Sequence, residues 1–261
     1  MVMSCVPMIA DDDISEDAVL GGSLKIRQPL RGHRVGHDAI LLAAAVCARA
    51  GQRAADLGAG VGAAGLALSM RIPGLVTTLV EIDARLCELA ADNAKLNGLS
   101  GRVTVVCADA GDVDALRGNG LAAESFDCVL MNPPFFDARR HNVSPDPRRR
   151  SAHVGDPALL TRWVGVSAWL LGRAGTVTLI WRADGLAEVL STLVPAFGDI
   201  SVLPVLPRAG VAAVRVLVRA TKGSAASQTT CRPLVLNDDQ GRPTAEAEAV
   251  MRAGGFLEFV R

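Results

Sequence analysis

Three acidic residues and one proline-stiffened amide carry the chemistry that this sequence offers. Asp56 stands two residues before the first glycine of "RAADLGAGVGAAGLAL" (53–68), Glu81 closes the run "LVTTLVE" (75–81), and Asp109 follows "VTVVCA" (103–108). Each apolar run reads as a short buried strand, so the carboxylates fall at the ends of three successive strands. In an open parallel sheet those ends line one crevice, where ligands bind. A carboxylate there can hold an amino group, the two hydroxyls of a ribose or the amino edge of an adenine, and it repels a pyrophosphate. Gly58 and Gly60 allow a tight bend and close approach of a ligand to the backbone. Taken alone, Gly58-x-Gly60-x-x-Ala63 also fits a dinucleotide loop, with Glu81 placed for a nicotinamide ribose. Asp56 argues against that reading. The three acids together prefer an adenosine with a cationic head and no phosphate, which describes S-adenosylmethionine. We therefore expect Asp56, Gly58, Gly60, Glu81, Asp109 and the adjoining Ala110 to bind that cofactor.

The fourth apolar run, "FDCVLM" (126–131), ends in Asn132-Pro133-Pro134-Phe135. Proline lacks a backbone donor and fixes its own φ, so two prolines stiffen a loop whose carbonyls stay free. The Asn132 side-chain carbonyl and the Pro133 backbone carbonyl form a cradle of acceptors. Such a cradle suits a planar NH2 group, whose hydrogens it holds while positive charge grows on nitrogen. Asn132, Pro133 and Phe135 are the expected catalytic residues, with Phe135 stacking on an extruded base. Pro134 and Phe136 are expected to touch the substrate. The chain has no Pro-Cys pair, which disfavours ring-carbon methylation through a cysteine adduct.

Beyond the signature runs "DARRHNVSPDPRRRSAHVGD" (137–156), with Arg139, Arg140, Arg148, Arg149 and Arg150. Arginines beside a target pocket can hold phosphates, and we assign Arg148, Arg149 and Arg150 to substrate binding. So small a footprint favours a structured RNA over long duplex DNA.

These residues need a sheet to position them, and the pattern supplies one. Strand runs at 53–57, 76–82, 103–108, 126–131 and 175–182 alternate with helical patterns near 61–71, 84–97, 112–118, 157–172 and 183–194. Alternation of this kind implies a mostly parallel sheet with helices on both faces. "ISVLPVLPRAGVAAVRVLVRA" (200–220) reads as two strands joined at a Pro-Arg-Ala-Gly turn, giving an antiparallel hairpin at the sheet edge. The expectation is a seven-stranded Rossmann-like α/β fold. Residues 1–24 are expected to form a loose acidic tail, 25–225 the main domain, and 226–261 an extension packed on it. A short hairpin is expected within 21–37, followed by a helix capped by Asp38 and running to about residue 49.

Composition narrows the class further. The 27 basic and 27 acidic residues balance, so nonspecific coating of nucleic acid is not expected. The six cysteines form no Cys-x-x-Cys pair, and neither a metal site nor a redox pair is expected. No apolar run reaches the roughly 18 residues of a membrane span. Acids occupy the start where a secretory signal carries basic residues. A cytoplasmic location away from membranes is the expectation.

At this point the chain resembles a known group. "DLGAGVG", "VEID", "CAD" and "MNPPFF" are together similar to class I S-adenosylmethionine-dependent methyltransferases with an Asn-Pro-Pro-aromatic signature. Those enzymes methylate exocyclic amines of bases or the side-chain amide of glutamine. More narrowly, "LRGHRVGHDAILLAAAV", "RRRSAHVGDPALLTRWVGVSAWLL" and "AEAEAVMRAGG" resemble the bacterial tRNA-Val adenine-N6 methyltransferases, and the likeness runs over residues 25–255. The resemblance implies adenine N6 in tRNA as target. It departs from the pattern at Phe135, where tyrosine is more usual, and at His37, where threonine is. The near alternative is a glutamine-amide methyltransferase acting on release factors or ribosomal protein, although such enzymes carry a long helical domain before the glycine loop. A nicotinamide-dependent dehydrogenase and a non-catalytic RNA-binding module are the readings from other classes.

Overall fold

A computed structural model of the chain describes residues 13–31, 34–134, 158–225 and 227–260. Phe135, Phe136, the arginine-rich loop and Cys5 lie outside these residues. The chain opens with two strands, β1 (Ile14–Val19) and β2 (Leu24–Pro29), paired antiparallel from Ile14↔Pro29 to Val19↔Leu24. This hairpin begins inside the stretch expected to be loose and earlier than the 21–37 window. Its alternation is the reason: Leu24 and Ile26 are fully buried while Lys25 and Arg27 face out.

The helix α1 (His37–Ala45) follows, and here the sequence reading is corrected. Its N-cap is Gly36, not Asp38, and it stops at Ala45 rather than near residue 49. Asp38 instead accepts from Arg215 Nε at 2.9 Å. Strands and helices then alternate: β3 (Arg53–Leu57), α2 (Ala63–Arg71), β4 (Val76–Glu81), α3 (Ala84–Leu96), β5 (Val103–Cys107), α4 (Val113–Gly118) and β6 (Phe126–Met131). From residue 158 on come α5 (Leu159–Leu170), β7 (Leu171–Arg182), α6 (Leu186–Leu193), β8 (Phe197–Arg208) and β9 (Arg215–Lys222).

The main sheet has the order β5-β4-β3-β6-β7-β9-β8, parallel from β5 to β7 and antiparallel where β9 pairs with β7 and β8. This is the Rossmann-like class I methyltransferase arrangement. Its strand order reverses at β3 and β6, and that switch point opens the ligand crevice. The expected edge hairpin is present, with β9 lying inside β8. Among the described residues the sheet nevertheless has nine strands rather than seven. Two short segments of the C-terminal extension, β10 (Gln228–Thr230) and β11 (Leu234–Asn237), pair parallel with β8 and cover its outer edge.

Two buried layers flank the sheet. One joins α1, α2 and α3 with Leu24 and Ile26 of the hairpin and Leu234 and Val250 of the extension. The other joins α4, α5 and α6 through Leu116, Trp163 and Val189. The last helix, α7 (Ala245–Met251), is tied down by Arg71 at the end of α2, whose Nη2 donates to Val250 O at 2.8 Å and whose Nη1 donates to Ile40 O at 3.3 Å. Burial lowers the Arg71 pKa to about 10. Among the described residues, five cysteines carry free thiols, and burial pushes Cys87 and Cys128 up to about 12.

Candidate active site

The strand register puts the expected residues on one line. Leu57 pairs with both Met131 and Val80, so the residues that follow, Gly58, Asn132 and Glu81, leave three neighbouring strands at the same level. Neighbouring strands lie about 4.8 Å apart, which sets the Asn132 and Glu81 backbones roughly 10 Å from each other across Gly58. Glu81 is paired in turn with Cys107 of β5, and Asp109 follows two residues on.

The loop from Gly58 to Gly62 is held from several sides. Gly58, Gly60 and Gly62 all have positive φ, at 69°, 57° and 88°. Only glycine takes up such a succession without strain. Ala59 N–H donates to Val80 O at 2.9 Å, and Gly60 N–H donates to Glu81 Oε2 at 2.8 Å. The other oxygen, Oε1, accepts from the N–H groups of Ile82 and Asp83, both at 2.9 Å. Glu81 is therefore an anchored carboxylate at the strand end, with three of its roughly four acceptor sites filled and one, on Oε2, left for a hydroxyl donor.

Asp56 is 2% exposed. Its Oδ2 accepts from Gly65 N–H at 2.8 Å in the first turn of α2, so it braces the loop from beneath. Burial first, and the negative field of Glu81 in addition, raise its pKa to about 7, against the lowering effect of the Gly65 bond. No cation among the described residues offsets this charge. A buried carboxylate without a cation fits an ammonium ligand, and with Glu81 beside it the loop is unsuited to a pyrophosphate. Asp109 accepts from Gly111 N–H at 2.7 Å, and Ala110 is buried next to it.

Asn132 is half-buried, Pro133 buried and Pro134 exposed. Among the described residues nothing hydrogen-bonds the Asn132 side chain, which leaves its amide for a ligand. Phe135, Phe136, Arg148, Arg149 and Arg150 fall outside the described residues. His37 is exposed at the start of α1, on the rim of an open cleft of about 700 Å³ between the hairpin turn, α1 and Arg252. None of the three acids lines that cleft.

Sequence reasoning did not name two residues that border the site, Trp163 and Arg162, or a third, Asn93, that braces its loop from behind. Trp163 of α5 packs so closely on Gly58 that a Cβ there would overlap its indole ring. Its Nε1 is buried and unpartnered among the described residues. Arg162, its neighbour, brings a guanidinium beside Asp109: a Cβ on Gly111 would stand 3.1 Å from Arg162 Nε and 3.3 Å from Asp109 Oδ1. Asn93 of α3 donates from Nδ2 to Val61 O at 3.0 Å. Its signal was available, since Leu89, Ala90, Asn93 and Ala94 form a buried stripe at helical spacing with one polar member. Trp163 and Arg162 gave no such signal. Among the described residues there is no cluster of metal-binding side chains and no helix long and apolar enough to cross a membrane.

Comparison with known proteins agrees with this geometry. The family model "Methyltransferase small domain" matches residues 33–145. The chain is 32% identical over 162 residues to a tRNA1(Val) (adenine(37)-N6)-methyltransferase of Porphyromonas gingivalis, covering 60% of this chain and 61% of that protein. It is 31% identical over 157 residues to a release factor glutamine methyltransferase of Chlorobaculum tepidum, covering 57% and 51%. The chain thus spans about three fifths of the first relative and about half of the second. The crystal structure of a predicted O-methyltransferase from Agrobacterium tumefaciens superposes with a TM-score of 0.72 at 30% identity, over 86% of this chain and 99% of that one.

Proposed function

The chain belongs to the class I S-adenosylmethionine-dependent methyltransferases, and from that premise we propose that it methylates the exocyclic N6 amine of an adenine in tRNA. The observation that carries the reading is Asn132, its amide unengaged by the described residues, leaving β6 level with Gly58 and Glu81. Bound S-adenosylmethionine supplies a methyl group made electrophilic by its sulfonium. The chain's own residues do the rest by placement. Glu81 takes a ribose hydroxyl, Asp56 faces the ammonium, and Asp109 with Ala110 borders the adenine. The Asn132 side-chain oxygen and the Pro133 carbonyl accept the two hydrogens of the target amine. They orient its lone pair for in-line attack and stabilise the positive charge that develops on nitrogen. Phe135 stacks on the extruded base, Pro134 and Phe136 border it, and Arg148, Arg149 and Arg150 hold RNA phosphates.

The identity to the Porphyromonas tRNA enzyme supports adenine as the target. The identity to the Chlorobaculum enzyme supports a second reading, a glutamine side-chain amide of a protein, because that amide offers the same planar NH2. A hydroxyl target, as the name of the Agrobacterium protein implies, has only one hydrogen for a two-acceptor cradle. One experiment separates the three. The protein is incubated with tritiated cofactor and, separately, total RNA, DNA and a fraction containing release factors and ribosomal proteins, and labelled RNA is digested to nucleosides. Label in N6-methyladenosine from tRNA is expected, and Asn132→Ala should lower its rate about 10²- to 10³-fold with cofactor affinity unchanged. Label confined to protein, or to ribose-methylated nucleosides, overturns the assignment.

A further inference from the structure

The cofactor loop is gripped from outside the crevice by a residue that touches no ligand. Asn93 has no exposed surface. Its Oδ1 accepts from Arg27 N–H at 2.7 Å, and its Nδ2 donates to Arg27 O at 2.9 Å and to Val61 O at 3.0 Å. One amide thus joins the hairpin, α3 and the glycine loop. One turn along, Asn97 makes the same two-way pairing with the residue two positions back along β2: Lys25 N–H donates to its Oδ1 at 2.9 Å, and its Nδ2 donates to Lys25 O at 2.7 Å. The two side chains satisfy the free edge of β2 as a partner strand would. They differ in one respect. The second bond of Asn97 Nδ2 goes to Asn93 O at 2.7 Å, within α3, and not to the loop.

Val61 sits between Gly60, whose N–H meets Glu81, and Gly62, whose left-handed backbone starts α2. Holding the Val61 carbonyl fixes the peptide plane between Val61 and Gly62 and so restrains the short glycine turn whose Gly60 N–H meets Glu81. Only an amide of this size accepts one bond while donating two. An aspartate would set a carboxylate against two carbonyls, and a leucine would leave three backbone groups unpaired, the Val61 carbonyl among them buried.

We propose that Asn93 is a positioning residue for the cofactor loop and that its clamp on Arg27 is the loop's outer brace, so that cofactor binding and the Asn93–Arg27 contact reinforce each other. The proposal rests on the cofactor reading given above. Such coupling is reciprocal and can be read from either end.

Two measurements test it. In the wild-type protein, amide exchange is followed with and without S-adenosylhomocysteine. The Arg27 amide, which donates to Asn93, should slow about tenfold, while the Lys25 amide, which donates to Asn97, stays within about twofold. In variants, Asn93→Ala should weaken S-adenosylmethionine binding about tenfold in calorimetry while methyl transfer at saturating cofactor stays within about threefold. Asn97→Ala, which removes an equal clamp on the hairpin, should leave cofactor affinity within about twofold. Equal responses of the two amides, or of the two variants, would make Asn93 a structural amide only and overturn the proposal. If Asn93→Ala does not fold, the wild-type exchange experiment decides. Wild-type protein that binds neither compound contradicts the cofactor reading itself, which is a separate result.

Discussion

Changing the pH from 7.5 to 6 probes the one carboxylate among the described residues whose charge state the fold has moved into the working range. Asp56 is buried against Gly65 and Glu81, and its pKa rises from 3.8 to about 7. A cationic cofactor head favours the ionised form, so binding must first remove the proton that Asp56 carries at low pH. The apparent dissociation constant then scales as one plus ten to the power of pKa minus pH. That factor is about 11 at pH 6 and about 1.3 at pH 7.5, a loss of roughly eightfold in affinity, or a little over 1 kcal/mol. The cofactor's α-ammonium, with an ordinary pKa of about 7.7–8.0, stays mostly charged at pH 7.5 and trims the expected loss to about five- to sixfold. Calorimetry in two buffers of different ionisation enthalpy should show about 0.9 proton released per cofactor at pH 6. Asp56→Asn should bind more weakly at pH 7.5 and show neither the pH slope nor the proton release. A flat affinity with no proton release would refute the reasoning, because Asp56 would then not meet the cofactor as a carboxylate.

Other outcomes follow from the same geometry. The raised Asp56 pKa means that its contribution to the stability of the ligand-free protein is fully present below about pH 3.8 and is lost as pH rises through about 7. Asp56→Asn should therefore raise the melting temperature at pH 8 more than at pH 5, in thermal scans without ligand. Glu81→Gln leaves one oxygen where Gly60, Ile82 and Asp83 now share two, and cofactor affinity should fall about ten- to a hundredfold in calorimetry. Gly58→Ala combines a φ of 69° with overlap on Trp163, and it should lower both melting temperature and cofactor affinity. Adding Trp163→Leu should restore part of that stability. Arg71→Leu removes the bonds to Ile40 O and Val250 O, and should cost about 1–3 kcal/mol in urea unfolding while speeding proteolysis near α7.

The residues proposed to face the ligand were legible because their placement is set locally. Positive φ at Gly58, Gly60 and Gly62, a stiff Asn132-Pro133-Pro134 exit, and acids closing apolar runs are properties of a few neighbouring residues and of strand alternation. The sequence therefore determined the Rossmann-like order, the crevice and the acids along it. What it left open depends on partners distant along the chain. Residues 14–19 looked loose until β2 gave them a partner, and β2 in turn needs the edge bonds from Asn93 and Asn97, 66 and 72 residues away. Asp38 read as a helix cap because acids favour that place, but the Arg215 guanidinium, 177 residues on, draws its carboxylate instead. The two added strands exist only because β8 ends the sheet with an unpaired edge that the extension can reach. Trp163 covers Gly58 because the packing of α5 carries it there. Local backbone chemistry thus fixed which residues form the crevice. Only long-range packing decided what braces it, since hydrogen-bond partners for buried edges are chosen by proximity in space, not in sequence.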